Sequence, residues 1–175
     1  MSNKGFAVIL AIIIAVSVGF IAVKKKNAPP ETPRPGTAQP NKGAQHVADG
    51  TEPYGGPEPP TSGNHAQSPL PWQVYDQEVP DMSAIHNMEH GGIYISYRPD
   101  LPADQIAKIK SLFGPPYSRK NFTPTKAIVA PRAANSAPII MSSWDRNMKL
   151  NSFDEEKMLE YYRRNIGQSP EPTAG

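Results

Sequence analysis

Four residues in this chain have the chemistry and spacing to act together. His86, Glu89 and His90 fall in one stretch, Met82-Ser-Ala-Ile-His86-Asn-Met-Glu89-His90-Gly-Gly92, and His65 precedes it in Pro59-Pro-Thr-Ser-Gly-Asn-His65. A four-residue spacing puts the imidazoles of His86 and His90 on one helix face, one turn apart. Met82 extends that stripe back by another turn, whereas Met88 falls off it. Two imidazoles so placed can hold one metal ion. A third from His65 completes a three-histidine set of the kind that binds zinc with an open position, or copper. Glu89 adds a carboxylate, and the Met82 thioether is a soft donor that favours Cu(I). The candidate ligands are therefore His65, His86, His90, Met82 and Glu89, for one copper or zinc ion with copper favoured, and no organic cofactor is expected.

The same residues admit a structural reading, in which the domain is an interaction or assembly module and its histidines are structural. A histidine at a helix C-terminus interacts favourably with the helix dipole, so His90 can be a cap. His86 can be a buried ring bonded to a loop carbonyl, His65 the group that pins the Thr-Ser-Gly loop, and Glu89 their ion-pair partner. Met82 and Met88 would then be core fillers. Catalysis is the weakest reading. His86-x-x-Glu89-His90 is also the inverted-zincin signature, in which the glutamate acts as general base. Those enzymes carry the motif in a long helix with a distant acidic ligand, and here Gly91, Gly92 and a strand follow at once. There is no cysteine nucleophile, Ser62 lacks the Gly-x-Ser-x-Gly elbow, and Gly55-Gly56 leads into prolines and not into a helix. The expectation is a non-enzymatic protein, with a zinc hydrolase as the outside alternative.

Several elements must position these groups. A helix from about Met82, with Asp81 or Ser83 as its N-cap, is ended by the two glycines, and Ile93-Tyr-Ile-Ser-Tyr97 reads as a strand. Upstream, Tyr54 is the apolar anchor of a proline-rich loop, and Trp72 to Val79 alternates loosely enough for a short strand that Pro80 stops. Downstream, Pro102 opens a second helix with Ile106, Ile109 and Phe113 on one face, closed by Gly114-Pro-Pro116. Lys126 to Ala130 and Ala137 to Trp144 are further strands. Ser152-Phe-Asp-Glu155 is a capping box for a last helix that buries Met158, Leu159, Tyr162 and Ile166 and ends at Gly167. The sum is one α+β domain, residues 51–167, with a small sheet of three or four strands and two or three helices, followed by a loose tail, 168–175.

Ahead of this domain the composition changes twice. After a short tail, 1–4, the run 5–23 is uncharged and about long enough to cross a bilayer as a helix, and Lys24-Lys-Lys26 follows it directly. A cleaved signal peptide would need a shorter apolar core and a small-x-small site. Residues 24–50 form a basic, proline-rich linker in extended backbone, able to hold a domain about 60 Å from the membrane. A net charge of +2, with no basic stripe interleaved with aromatics, does not suggest a nucleic-acid binder, and no nucleic-acid partner is expected. The absence of cysteine excludes a disulfide framework. The triple lysine would place the C-terminal side in the cytoplasm.

Pro59-Pro-Thr-Ser-Gly-Asn-His65, Trp72 and His86-Asn-Met-Glu-His-Gly91 running into a strand closely resemble a bacterial domain of unknown function numbered 3105. The resemblance runs from Tyr54 to a C-terminal Pro170-Glu171. It departs at Asn64 (proline expected), at Met88 (leucine) and at Ser143-Trp-Asp145 (Ala-Trp-Gly). It implies the plan of a membrane anchor carrying a domain that, with the proline-rich spacer and against the charge rule, is expected to be extracytoplasmic on a single-pass cell-membrane protein; the expected partners are the membrane and other membrane or envelope proteins. It supplies no reaction.

Overall fold

Apolar residues at every position of Ile93-Tyr-Ile-Ser-Tyr97 except Ser96 make a strand buried on both faces, and a mixed sheet is built around it. In this computed structural model, which describes residues 33–48 and 54–174, the elements run β1 (Thr37–Ala38), α1 (Asp81–Glu89), β2 (Ile93–Tyr97), α2 (Ala103–Phe113), β3 (Ala127–Pro131), β4 (Ile139–Ser143), β5 (Arg146–Leu150) and α3 (Glu155–Asn165). The sheet order is β1-β5-β4-β2-β3. β2 and β3 are parallel, with Ile95 opposite Val129, and α2 makes the crossover that parallel neighbours require. The other pairings are antiparallel.

Alternation along β2 sends side chains to two separate cores. Ile93, Ile95 and Tyr97 pack with Ile109, Leu112, Phe113, Met158, Leu159 and Tyr162, so α2 and α3 cover one face. Tyr94 packs with Ile128, Ala84, Ile85, Met88 and Trp144, which places α1 on the other. Burying one such side chain contributes about 1.5–3 kcal/mol. The α+β class holds, and the sheet has five strands instead of three or four.

The additional strands are polar or short. β5 reads Arg-Asn-Met-Lys-Leu, with Met148 and Leu150 the apolar positions, and it forms because β4 offers it a full antiparallel register. β1 lies inside the stretch expected to be linker. Arg146 Nη1 donates to Gly36 O at 2.6 Å, and Gln39 N donates to Asp145 O at 2.8 Å. Pro35 and Pro40 flank a two-residue edge strand, where a missing donor faces no ladder. The folded unit thus begins at Arg34. Within the linker assignment, 24–50, the residues from 34 to 48 are part of the domain. The expected membrane span, 5–23, lies outside the described residues. Among the described residues no helix is long and apolar enough to cross a membrane.

Three local expectations are corrected. Trp72 to Val79 contributes only an isolated parallel bridge, Val74 to Val129, in which Tyr75 N donates to Val129 O at 2.7 Å and Val129 N to Gln73 O at 3.1 Å, and the pairing extends no further along β3. The last helix starts at Glu155 with Asp154 as N-cap, its carboxylate accepting from Lys157 N at 3.2 Å, so the Ser152 capping box is not formed. Helix α1 is capped by no side chain. Pro80 precedes it, and Asp81 instead faces the Arg132 guanidinium, Nη2 to Oδ2 at 2.8 Å.

Candidate metal centre

Proline and glycine prevent residues 54–66 from making regular structure, so their backbone groups find partners elsewhere. Lys42 N donates to Ser62 Oγ at 2.9 Å, Asp145 N to Thr61 O at 3.1 Å, and the Tyr54 hydroxyl to Asn64 O at 2.8 Å. Gly63 sits at φ +121°, with the Tyr54 hydroxyl 2.9 Å from where a Cβ would be, so only glycine fits there. Tyr54 is the anchor expected of it. The consequence of this bracing is the placement of His65, which is fully buried.

His65 is oriented by its own loop. Its Nδ1 lies 2.9 Å from Gly63 O. A carbonyl only accepts, so Nδ1 carries the proton and a neutral ring presents its lone pair at Nε2. The next residue does the same for His86. Ala66 N donates to Met82 O at 3.3 Å, which ties the loop to α1, and the Ala66 carbonyl accepts from His86 Nδ1 at 2.7 Å. Both buried rings therefore direct Nε2 inward. Burial holds the His86 imidazole below the ordinary histidine range, against the pull of the Ala66 carbonyl and helped by the neighbouring imidazoles. A neutral ring is the form that ligates metal.

Three further groups complete the cluster. The chain has four histidines, and all converge here. His46 comes from the segment preceding the loop. It pairs with His65 in a parallel bridge, His65 N donating to Gln45 O at 3.0 Å and Val47 N to His65 O at 2.9 Å. The His46 ring centroid is 4.4 Å from that of His65 and 4.9 Å from that of His86. Glu89, 2% exposed, brings Oε2 to 2.9 Å from His65 Nε2 and 3.9 Å from His46 Nε2. His90 Nε2 is 3.2 Å from His86 Nε2. Two nitrogens bound to one tetrahedral ion at about 2.0–2.1 Å lie about 3.3 Å apart, so the last pair already has ligand spacing.

The grouping differs from the expected one. Ligand atoms of His46, His65 and His86 lie within 4.8 Å of one another, and so do those of His86, Glu89 and His90. His86 is common to both sets, whereas His65 and His90 fall in different ones. Met82 is buried one turn before His86 and belongs to neither apolar cluster, and Met88 is core, packed against Ile128 and Trp144. His46 escaped the sequence reading because it stands among residues that look like linker. The signal that could have found it is the count: once three of four histidines converge, the fourth is worth testing.

The His86–His90 contact is a hydrogen bond between the two Nε2 atoms, but the shorter His65–Glu89 contact is not. His65 Nε2 and Glu89 Oε2 are 2.9 Å apart, yet the direction is poor enough that neither atom has a hydrogen-bond partner, and His90 Nδ1 is buried without one as well. Buried polar atoms left unpaired cost about 1–3 kcal/mol each. A cation among them would satisfy the lone pairs and the carboxylate together. The motif positions also account for the glycines. Gly91 takes φ +82° and its Cβ would stand 2.9 Å from Gly167 Cα, so the chain turns off α1 into β2 against the end of α3.

The family described as "Protein of unknown function (DUF3105)" matches residues 46–175. The chain belongs to this family. The DUF3105 region starts at His46 and so holds every histidine and the glutamate of the cluster. No curated protein and no solved structure matches the chain.

Proposed function

We propose that this domain binds one divalent transition-metal ion in the cluster of His46, His65, His86, Glu89 and His90, to store, deliver or sense it. The observation that carries the reading is the convergence of all four histidines of the chain, two of them held by carbonyls with Nε2 inward, on a buried carboxylate whose Oε2 has no aligned hydrogen bond. A donor set of imidazole and carboxylate suits copper and zinc, and for divalent ions in such sites Cu(II) binds more tightly than Zn(II). Copper is thus favoured on nitrogen donors, with no need for the Met82 sulfur. Carried on a membrane anchor at 5–23, the centre would serve a metal outside the cytoplasm and meet other envelope proteins there.

A structural reading has one observation in its favour: the carbonyls of Gly63 and Ala66 hold His65 and His86 in place without any metal. The two are separated by one experiment. Full-length protein in detergent is stripped with a chelator and titrated with Cu(II), Zn(II) and Cu(I). The metal reading expects one equivalent of Cu(II) bound below micromolar Kd, with uptake abolished in His65→Ala and His86→Ala. Failure to take up any of the three ions rejects it.

A further inference from the structure

Resting on that metal-binding reading, we propose that the segment following α3 is a strap closing the metal centre, and that Glu171 supplies a further ligand to the ion from the solvent side. Glu171 Oε2 lies 3.8 Å from His90 Nε2, and its side chain is 54% exposed, against 12% for His90. It therefore stands at the mouth of the cluster, where the buried ligands His65 and Glu89 cannot reach solvent themselves.

The strap is built, not incidental. Three successive carbonyls at the end of α1 would lack helical partners, as at any helix C-terminus. Each is taken by the C-terminal segment or by the lysine that holds it. Glu89 O accepts from Glu171 N at 3.1 Å, His90 O from Lys126 Nζ at 3.0 Å, and Gly91 O from Gly167 N at 2.8 Å. Lys126 Nζ also donates to Pro172 O at 3.2 Å and Ala174 O at 2.8 Å, so one ammonium clamps the metal-bearing helix end to the chain terminus. The tail expected to be loose is thereby fixed in register with two ligand residues: the backbone of Glu89 holds the backbone of Glu171, and the side chain of Glu171 faces His90.

This arrangement assigns separate roles. His86, Glu89 and His90 bring their ligand atoms within 4.8 Å of one another and set the inner coordination. Glu171 sits on a stretch held to the cluster by main-chain bonds and a single lysine, with no apolar core residue among 168–174. Lifting residues 168–174 uncovers the His90 side of the centre and removes one anionic ligand in the same movement. Entry and release of the ion are then governed by the strap, and tightness by the inner set.

The test follows release of Cu(II) from full-length protein to EDTA by stopped-flow absorbance, together with the Cu(II) EPR spectrum. Glu171→Gln is expected to release the ion on the order of tenfold faster, at unchanged stoichiometry and with a changed hyperfine pattern, as removal of a group acting at a metal does. Lys126→Met is expected to speed both uptake and release while the EPR spectrum stays that of the wild type. Because Glu171 is half exposed and its main-chain bond is untouched by the substitution, Glu171→Gln keeps the test valid even if Lys126→Met fails to fold. Wild-type release and spectrum in Glu171→Gln overturn the assignment while leaving metal binding intact. Absence of Cu(II) uptake by the wild type rejects the metal-binding reading, and the strap's role with it.

Discussion

His65 Nε2 and Glu89 Oε2 stand 2.9 Å apart in the interior with no aligned hydrogen bond joining them. With Nδ1 of His65 protonated toward Gly63 O, a neutral ring sets a lone pair against a carboxylate oxygen, which is repulsive unless a cation or a proton lies between. Glu89→Gln replaces an anion by an amide able to donate to His65 Nε2. The metal-free variant is expected to melt a few degrees higher, about 3 °C for about 1 kcal/mol in a domain of this size. Its affinity for Cu(II) should fall at least tenfold. A structural ion pair between His65 and Glu89 predicts the opposite for the metal-free protein, a lowered Tm, and differential scanning calorimetry separates the two.

His46 offers a cleaner separation of binding from folding. Its side chain is 40% exposed and touches the cluster through its ring face and Nε2. Substitutions at such sites usually change stability by less than about 0.5 kcal/mol. His46→Ala should therefore unfold in urea like the wild type while binding Cu(II) at least tenfold more weakly by competition titration. Unchanged affinity would remove His46 from the ligand set.

Local periodicity made part of the fold legible and hid another part for a physical reason. β2, α2 and the buried stripe of α3 declare themselves because each buries one face and shows its own repeat. The helix carrying His86 and His90 and the glycine turn after it were legible for the same reason. β1, β5 and His46 were not: β1 depends on a partner more than a hundred residues away, as between Thr37 and Asn147, β5 is mostly polar and is a strand only through its pairing with β4, and His46 lies in a segment without periodicity. The strand expected from Trp72 was the converse error: alternation was present, but no partner strand lies alongside beyond Val129. Likewise Asp81 has the chemistry of an N-cap, and the Arg132 guanidinium outcompetes the helix for it.

Docking of β1 can be tested at Gly36. At φ +90°, a Cβ there would come to 2.7 Å from both Asn147 O and the Tyr161 ring. Gly36→Ala should lower stability by about 1–3 kcal/mol through strain and overpacking. Amide exchange at Gln39 should accelerate as the edge strand detaches, with β2 unaffected. Wild-type protection at Gln39 in this variant would mean that the strand tolerates a side chain.

Asp81 and Arg132 form a buried pair, with side chains 8% and 5% exposed, and Nε and Nη2 of the guanidinium meet both carboxylate oxygens at 3.0 and 2.8 Å. Removing one member of such a pair strands the other charge, at a cost of about 3–5 kcal/mol. Burial raises the Asp81 carboxyl above the usual carboxylate range even with Arg132 pulling it down. A carboxyl raised in the folded state favours folding most below its unfolded pKa, and that contribution is lost as pH rises through the folded value. In Arg132→Met the downward pull is gone and the carboxyl rises further. The variant is thus expected to be much less stable than the wild type at pH 7, and the gap should narrow on acidification toward pH 4.5, where the stranded carboxylate takes up a proton. Adding Asp81→Asn should restore part of the loss at pH 7 and remove most of the variant's pH dependence. Urea titrations at the two pH values measure all three effects, and a gap that widens on acidification would show that burial of Asp81 is not what opposes its charge.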